Sequence, residues 1–345
     1  MEAPDGMWQP TAAIRSVIRS SAAPPDCRAT ALRRPTTGKR RPRPLLWFTV
    51  TMLLRLRRLR SVCRLRHPLL RETLAELLGT AVLVFIGNST IANNVRNPLV
   101  AAVNVPLGYV AAVMIAVFAT GGVSGGHINP AVTLALCLSG RCDLTRLLPF
   151  TGAQYIGGFI GALLTHILFF DLIQSDTDRL NPTIYGIFST YPNNSISIGG
   201  AFFDQVLGTA ILVFGIMAIS DKQNMNVPKP LLPVGVGIVL YGAIASSCSN
   251  TGAALNPARD LGPRIYSFVI GYRQVFSVGH QFWWIPVVAG YIGGLLGAFV
   301  YLFCIELHHP TAEGDEQREG APPAASRGCE KDGWENGALQ VEGCL

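Results

Sequence analysis

Charge is nearly missing from the middle of this chain. Between Thr73 and Ile305 there are 9 basic and 8 acidic residues in 233 positions, whereas in an average soluble protein about a quarter of residues are charged. Such a stretch cannot present an ordinary aqueous surface, which excludes a soluble α/β enzyme. Paired cysteines are missing too. The cysteines stand at 27, 63, 137, 142, 248, 304, 329 and 344, with no CxxC pair and no Cys/His cluster at zinc spacing. That excludes a disulfide-rich secreted module and gives no metal site. No nucleophile–base constellation is legible, so an enzyme has nothing to stand on. What fills the middle is apolar, and it argues for a polytopic membrane domain.

The charge sits at the ends. Of the 28 Lys and Arg, 16 lie at or before Arg71, and of the 21 Asp and Glu, eight lie at or after Glu313. The net charge of +7 therefore comes from a basic head and implies no nucleic-acid partner. Residues 1–71, rich in Pro and Arg, read as a disordered extension that could meet anionic membrane lipid, with Met52 as a second candidate start. Residues 310–345 read as a disordered acidic tail. The apolar stretch Leu45–Leu54 is too short to span.

Six apolar segments are long enough to span, near 73–93, 101–121, 147–170, 200–220, 231–250 and 284–305. Two shorter ones follow Asn129 and Asn256, each about ten residues, the length of a re-entrant half-helix. An internal repeat organises them. Leu78–Phe85 (LGTAVLVF) matches Leu207–Phe214 (LGTAILVF), and Ala153–Ala162 (AQYIGGFIGA) matches Ala289–Ala298 (AGYIGGLLGA). Each half, about 72–171 and 200–306 within a domain of 72–309, then reads span, span, half-helix, span. Three spans is an odd number, so the second half enters from the opposite face, which makes an inverted repeat. Arg141, Arg146, Lys222 and Lys229 fall on the side of the basic head, so both termini are expected to be cytoplasmic. Asn193-Asn194-Ser195, in the longest outer connection, is a candidate N-glycosylation sequon.

Both half-helices open on Asn-Pro-Ala: Asn129, Pro130, Ala131 and Asn256, Pro257, Ala258. Asn caps orphan backbone donors and Pro suits the first helical position. The inverted repeat aims both starts at one small volume near the midplane, where the positive ends of two helix dipoles meet. A neutral solute with a lone-pair oxygen is accepted there, and a cation meets a barrier. Arg259 adds fixed donors and a charge at membrane depth, which marks function. The alternative for Arg259 is a structural pair with Asp260.

The stretches GGHINPAVT and LNPARDLGPR resemble the two pore motifs of the major intrinsic proteins, the aquaporin family, and the resemblance covers about residues 72–309. Asp260 after Arg259, the run FFDQVLGT and the longer outer loop ending in IFSTYP are similar to the aquaglyceroporin branch. HHP after the last span is similar to the aquaporin-ten group. The resemblance implies an all-α fold of six transmembrane helices and two half-helices, a pore in each monomer of a homotetramer, no cofactor, and a plasma-membrane channel for water, glycerol and other small neutral solutes that excludes protons and ions. It places the constriction at Tyr109, Ile244, Ala253 and Arg259. Strict water channels of the family carry His where Ile244 stands. Aquaglyceroporins usually have Gly there and often an aromatic at Ala253, so this chain departs at both.

The resemblance also implies that Glu76 and Gln205 brace re-entrant loops. His127, two residues before Asn129, lies beside the pore and could act as a pH gate, since an ordinary His titrates near pH 6.5. Alternative readings are a water-selective or urea- and ammonia-permeable channel, a secondary transporter, and a scaffold without flux. The spans carry few acids for ion coupling, which disfavours the transporter.

Overall fold

The structure, a computed structural model, describes residues 64–95 and 98–310, and Met52. The expectations for the basic head, for Leu45–Leu54 and for the acidic tail fall outside those residues. Eight principal helices run in chain order: α1 (Pro68–Val95), α2 (Ala101–Thr120), α3 (Pro130–Leu138), α4 (Leu147–Leu168), α5 (Ile198–Ser220), α6 (Leu232–Thr251), α7 (Pro257–Val269) and α8 (Ile285–Cys304). Six of them are long and apolar enough to cross a membrane. The first begins at Pro68, inside the segment expected to be disordered, because Pro fits a helix's first position. The two short ones are α3, with 9 residues, and α7, with 13. At 1.5 Å per residue α3 covers about 14 Å, roughly half a hydrocarbon core.

Packing follows the sequence repeat. Helix α1 lies along α4, and α5 lies along α8. Glycine makes both contacts close. A Cβ on Gly157 would stand 2.4 Å from the Leu77 carbonyl oxygen, and one on Gly161 would stand 2.7 Å from that of Ala81. Their repeat partners behave alike: Gly293 would meet the Val206 oxygen at 2.3 Å, and Gly297 would meet that of Ala210 at 2.2 Å. With lipid tails as apolar as leucine, helix association relies on such close backbone approach.

The half-helices are exchanged between the two halves. Helix α7 packs on α4, and α3 packs on α8. A Cβ on Gly158 would meet the Ala258 carbonyl oxygen at 2.5 Å, and one on Gly294 would meet that of Ala131 at 2.9 Å. Each half therefore holds the other half's Asn-Pro-Ala turn against its last span. The long connection after α4 is not a loose loop. Ile187, Phe188 and Tyr185 bury against Tyr266 of α7 and Tyr272.

At the other end of the bundle the chain after α8 folds back on the α5–α6 connection. Arg141 bonds Glu306 at 2.5 Å and the Ser220 hydroxyl at 2.9 Å. Burial alone would push the Asp221 carboxyl up. Hydrogen bonds from His309, Tyr301 and the Gln223 amide outweigh it and hold the group at about 2, so it stays charged at neutral pH.

Gly297→Ala should lower thermal stability in detergent by about 1–3 kcal/mol, the usual cost of overpacking. Gly242→Ala, where an added Cβ meets nothing within 4 Å, should be neutral or slightly stabilising. Equal melting temperatures for the two variants would remove close α5–α8 contact as the reason for glycine.

Candidate functional site: the facing half-helices and their cavity

Asn129 and Asn256 each cap their half-helix as the sequence suggests. The Asn129 side-chain oxygen accepts from Ala131 N at 2.9 Å, and the Asn256 oxygen accepts from Ala258 N and Arg259 N at 3.0 and 3.2 Å. Their amide nitrogens do something the sequence does not announce. Asn129 Nδ2 donates to the Leu255 carbonyl at 2.9 Å, and Asn256 Nδ2 donates to that of Ile128 at 2.8 Å. Each asparagine thus ties down the residue before the other. An amide nitrogen has two protons, so each keeps one for a passing oxygen.

Those carbonyls point correctly because their residues are strained. Ile128 and Leu255 have φ of 45° and 51°, left-handed values costly for a branched side chain. Buried side chains hold them there. Glu76 accepts from Ile128 N at 2.6 Å and His127 N at 3.0 Å, and it also accepts from Ser124 and Gln154. Gln205 accepts from Leu255 N at 3.2 Å and donates to Thr251 Oγ1 at 2.6 Å. Thr251 in turn donates to the Asp204 carboxylate.

A cavity of about 1390 Å³ runs past these turns. Asn129, Asn256 and His127 line it, as do Tyr109, Ile244, Ala253 and Arg259. Tyr109, Ile244 and Ala253 share one buried apolar cluster. The Arg259 guanidinium carbon lies 4.6 Å from the Tyr109 ring centre, and its Nη1 donates to the Phe188 carbonyl at 3.2 Å. The lining here therefore combines an aromatic ring with a guanidinium stacked on it and two aliphatic side chains. Pro130, Ala131, Pro257, Ala258, Glu76 and Gln205 do not line the cavity; they support groups that do.

Asp260 is not Arg259's partner. Its Oδ1 accepts two bonds from Arg264, at 2.9 and 2.8 Å, and its Oδ2 accepts from Thr190 N and Oγ1 at 2.8 and 2.7 Å. Arg264 also donates to the carbonyls of Val275 and Thr190. Both ions are fully buried. They fasten the segment just beyond Phe188, whose carbonyl receives Arg259. The i,i+4 spacing of Asp260 and Arg264 was the signal for this pair. Gln154 was equally missed. It stands where the second half has Gly290, so the mismatch in the repeat marked it.

The His127 Nδ1 lies 3.2 Å from the Thr133 hydroxyl, which accepts from Gln154 at 2.9 Å and lies 3.1 Å from the Asn129 carbonyl. The ring edge rests against Phe150 with centroids 5.5 Å apart. Asn193 is exposed, with its oxygen taken up by Ser195 N and Oγ at 3.1 Å.

Residues 64–301 match the family model described as major intrinsic protein. Among curated relatives, human aquaporin-9 is 38% identical over 270 residues, covering 75% of this chain and 91% of the relative. Human aquaporin-10 is 38% identical over 276 residues, covering 77% and 91%. Among solved structures, the X-ray structure of the aquaglyceroporin from Plasmodium falciparum superposes with a TM-score of 0.63 at 30% identity, covering 68% of this chain and 95% of that one.

Removing one partner of the buried Asp260–Arg264 pair should be costly, because it strands a charge. Asp260→Leu or Arg264→Met alone should destabilise by about 3–5 kcal/mol, while the double variant should recover most of the loss. Thermal unfolding in detergent checks this, and a double variant no better than either single would refute the pairing.

Proposed function

The chain belongs to the major intrinsic protein family, a family of channels and not enzymes, and from that premise we propose a passive pore for water, glycerol and other small neutral solutes that excludes protons and ions. The observation that carries the reading is the constriction itself. Arg259 stacks on the Tyr109 ring in the wall of a cavity that Ile244 and Ala253 also line, and none of these wall positions holds a His. Arg259 offers donors to solute hydroxyls and repels cations, while Tyr109 and Ile244 offer a carbon skeleton an apolar track. The spare amide protons of Asn129 and Asn256 bind a single oxygen in the field of two opposed helix dipoles, which disfavours a relayed proton. Asp260, Glu76 and Gln205 support the pore without touching solute. The relatives' names, aquaporin-9, aquaporin-10 and an aquaglyceroporin, support the same solute class.

The reading extends to the setting. The chain is a multi-pass membrane protein. We assign it to the plasma membrane as a homotetramer, with Arg141, Arg146, Lys222 and Lys229 on the cytoplasmic side together with both termini. Asn193 then lies outside, available for glycosylation. Apolar side chains such as Leu148, Phe203 and Ile238 are exposed on the monomer, and they meet lipid or neighbouring copies.

In proteoliposomes the protein should pass both water and glycerol, with no dependence on a proton gradient. Ile244→His should narrow the constriction and lower glycerol flux more than water flux. Glycerol flux at the empty-vesicle level would reject the glycerol assignment, and an unchanged flux ratio in the variant would remove Ile244 from the constriction.

His127 supplies a pH response in the same reading. Protonation adds a cation near the positive end of α3, on a ring that lines the cavity. Glu76 and Arg146 are the charged groups that act on it. Glycerol flux should differ between cytoplasmic pH 7.4 and pH 5.5, and the difference should vanish in His127→Ala. Equal pH responses in both proteins would sink this role.

A further inference from the structure

Tyr109 is restrained from three sides, and one restraint is unusual. Below it, the ring crowds Gly87 so closely that a Cβ there would stand 2.2 Å from Cε1. Over its face lies the Arg259 guanidinium. At its tip the hydroxyl donates to the Asn88 side-chain oxygen at 2.8 Å. Asn88 sits on α1 and is fully buried, and its Nδ2 has no partner among the described residues. A buried amide with an unpaired donor is expensive compared with an apolar side chain of the same size. Packing alone does not explain an asparagine here, whereas the need for an acceptor opposite Tyr109 does.

We propose that Asn88 is a positioning residue of the filter: by accepting the Tyr109 hydroxyl it withdraws that group from the cavity and keeps the ring stacked against the Arg259 guanidinium. The inference rests on the solute-channel reading and deepens it. Without the Asn88 acceptor, the hydroxyl would be left unpaired in an apolar wall. A phenol in that position turns toward the nearest solvated space, which is the cavity Tyr109 already lines. The ring would then swing away from Gly87 and out of its stack with Arg259, and add bulk and a polar group where a polyol's carbons pass. The bulkier solute is affected most. Asn88 thus acts on selectivity without touching the solute.

The test compares wild type, Asn88→Leu, Tyr109→Phe and the double variant in proteoliposomes, with glycerol and water permeabilities measured per channel. Asn88→Leu should lower the glycerol-to-water ratio about fivefold to tenfold, on the scale of one buried hydrogen bond. Tyr109→Phe has no hydroxyl to release and sets the reference ratio for a constriction without one. The double variant should return to the Tyr109→Phe ratio, a rescue that general damage to α1 would not give. An unchanged ratio in Asn88→Leu overturns the proposal, as does a double variant as impaired as Asn88→Leu. Should Asn88→Leu not fold, Asn88→Ala carries the same comparison. A wild type that passes water but no glycerol would reject the solute reading instead. Water permeability then decides this proposal, being lowered in Asn88→Leu and restored in the double variant if it holds, and equal in all four if it does not.

Discussion

The reciprocal bonds between two asparagine side chains and two backbone carbonyls are what the rest of this molecule is arranged around. Inside a bilayer no water relieves an unpaired peptide group, so non-helical backbone at membrane depth needs partners from the protein. Here the turn before each half-helix finds them in the opposite turn: Asn129 on Leu255, Asn256 on Ile128. Neither half satisfies the carbonyl of its own turn. The exchange of half-helices, with α7 on α4 and α3 on α8, follows from that requirement.

Holding the turns open is a separate problem, and the two halves solve it with different chemistry. Glu76 and Gln205 occupy equivalent positions, and both accept from the backbone of the residue before an asparagine. Glu76 gathers four donors, enough to satisfy a buried carboxylate. Gln205 accepts less and passes its own protons to Thr251, which closes on Asp204. The charge sits on α1 in the first half and one residue off the equivalent place in the second. The repeat preserves the geometry of support and lets the donors and acceptors drift.

Much of this was legible in the sequence because lipid leaves few options. The charge-poor middle, the span count, the paired Asn-Pro-Ala triplets and the glycine rows each follow from local rules, and the repeat sets their order. The long-range pairs were not legible. Nothing in the local pattern says that the Asn88 side chain turns inward to a tyrosine 21 residues on, or that Arg259 reaches the Phe188 carbonyl. Such pairings depend on how α1 and α2 rotate against each other, and on where the segment around Phe188 descends. His166 is a similar case. It bonds Tyr266 at 2.6 Å, 100 residues away.

The constriction shows why the two halves of a symmetric scaffold can do unequal work. The turns around Asn129 and Asn256 are near-copies, and both spend their asparagines the same way. Past Asn256 the copy ends: Arg259 reaches back to the Phe188 carbonyl and over Tyr109, whereas the position equivalent to it in the first half is Val132, an apolar residue buried with Met217 and Tyr301. An inverted repeat makes the dipole field symmetric about the midplane but cannot by itself choose between solutes. That choice needs a group present once. The buried Asp260–Arg264 pair supplies its foundation, since it fixes the segment that receives Arg259 while keeping both of its own charges out of the cavity. One guanidinium faces the solute and the other holds the wall, and the acid between them in sequence belongs to the second.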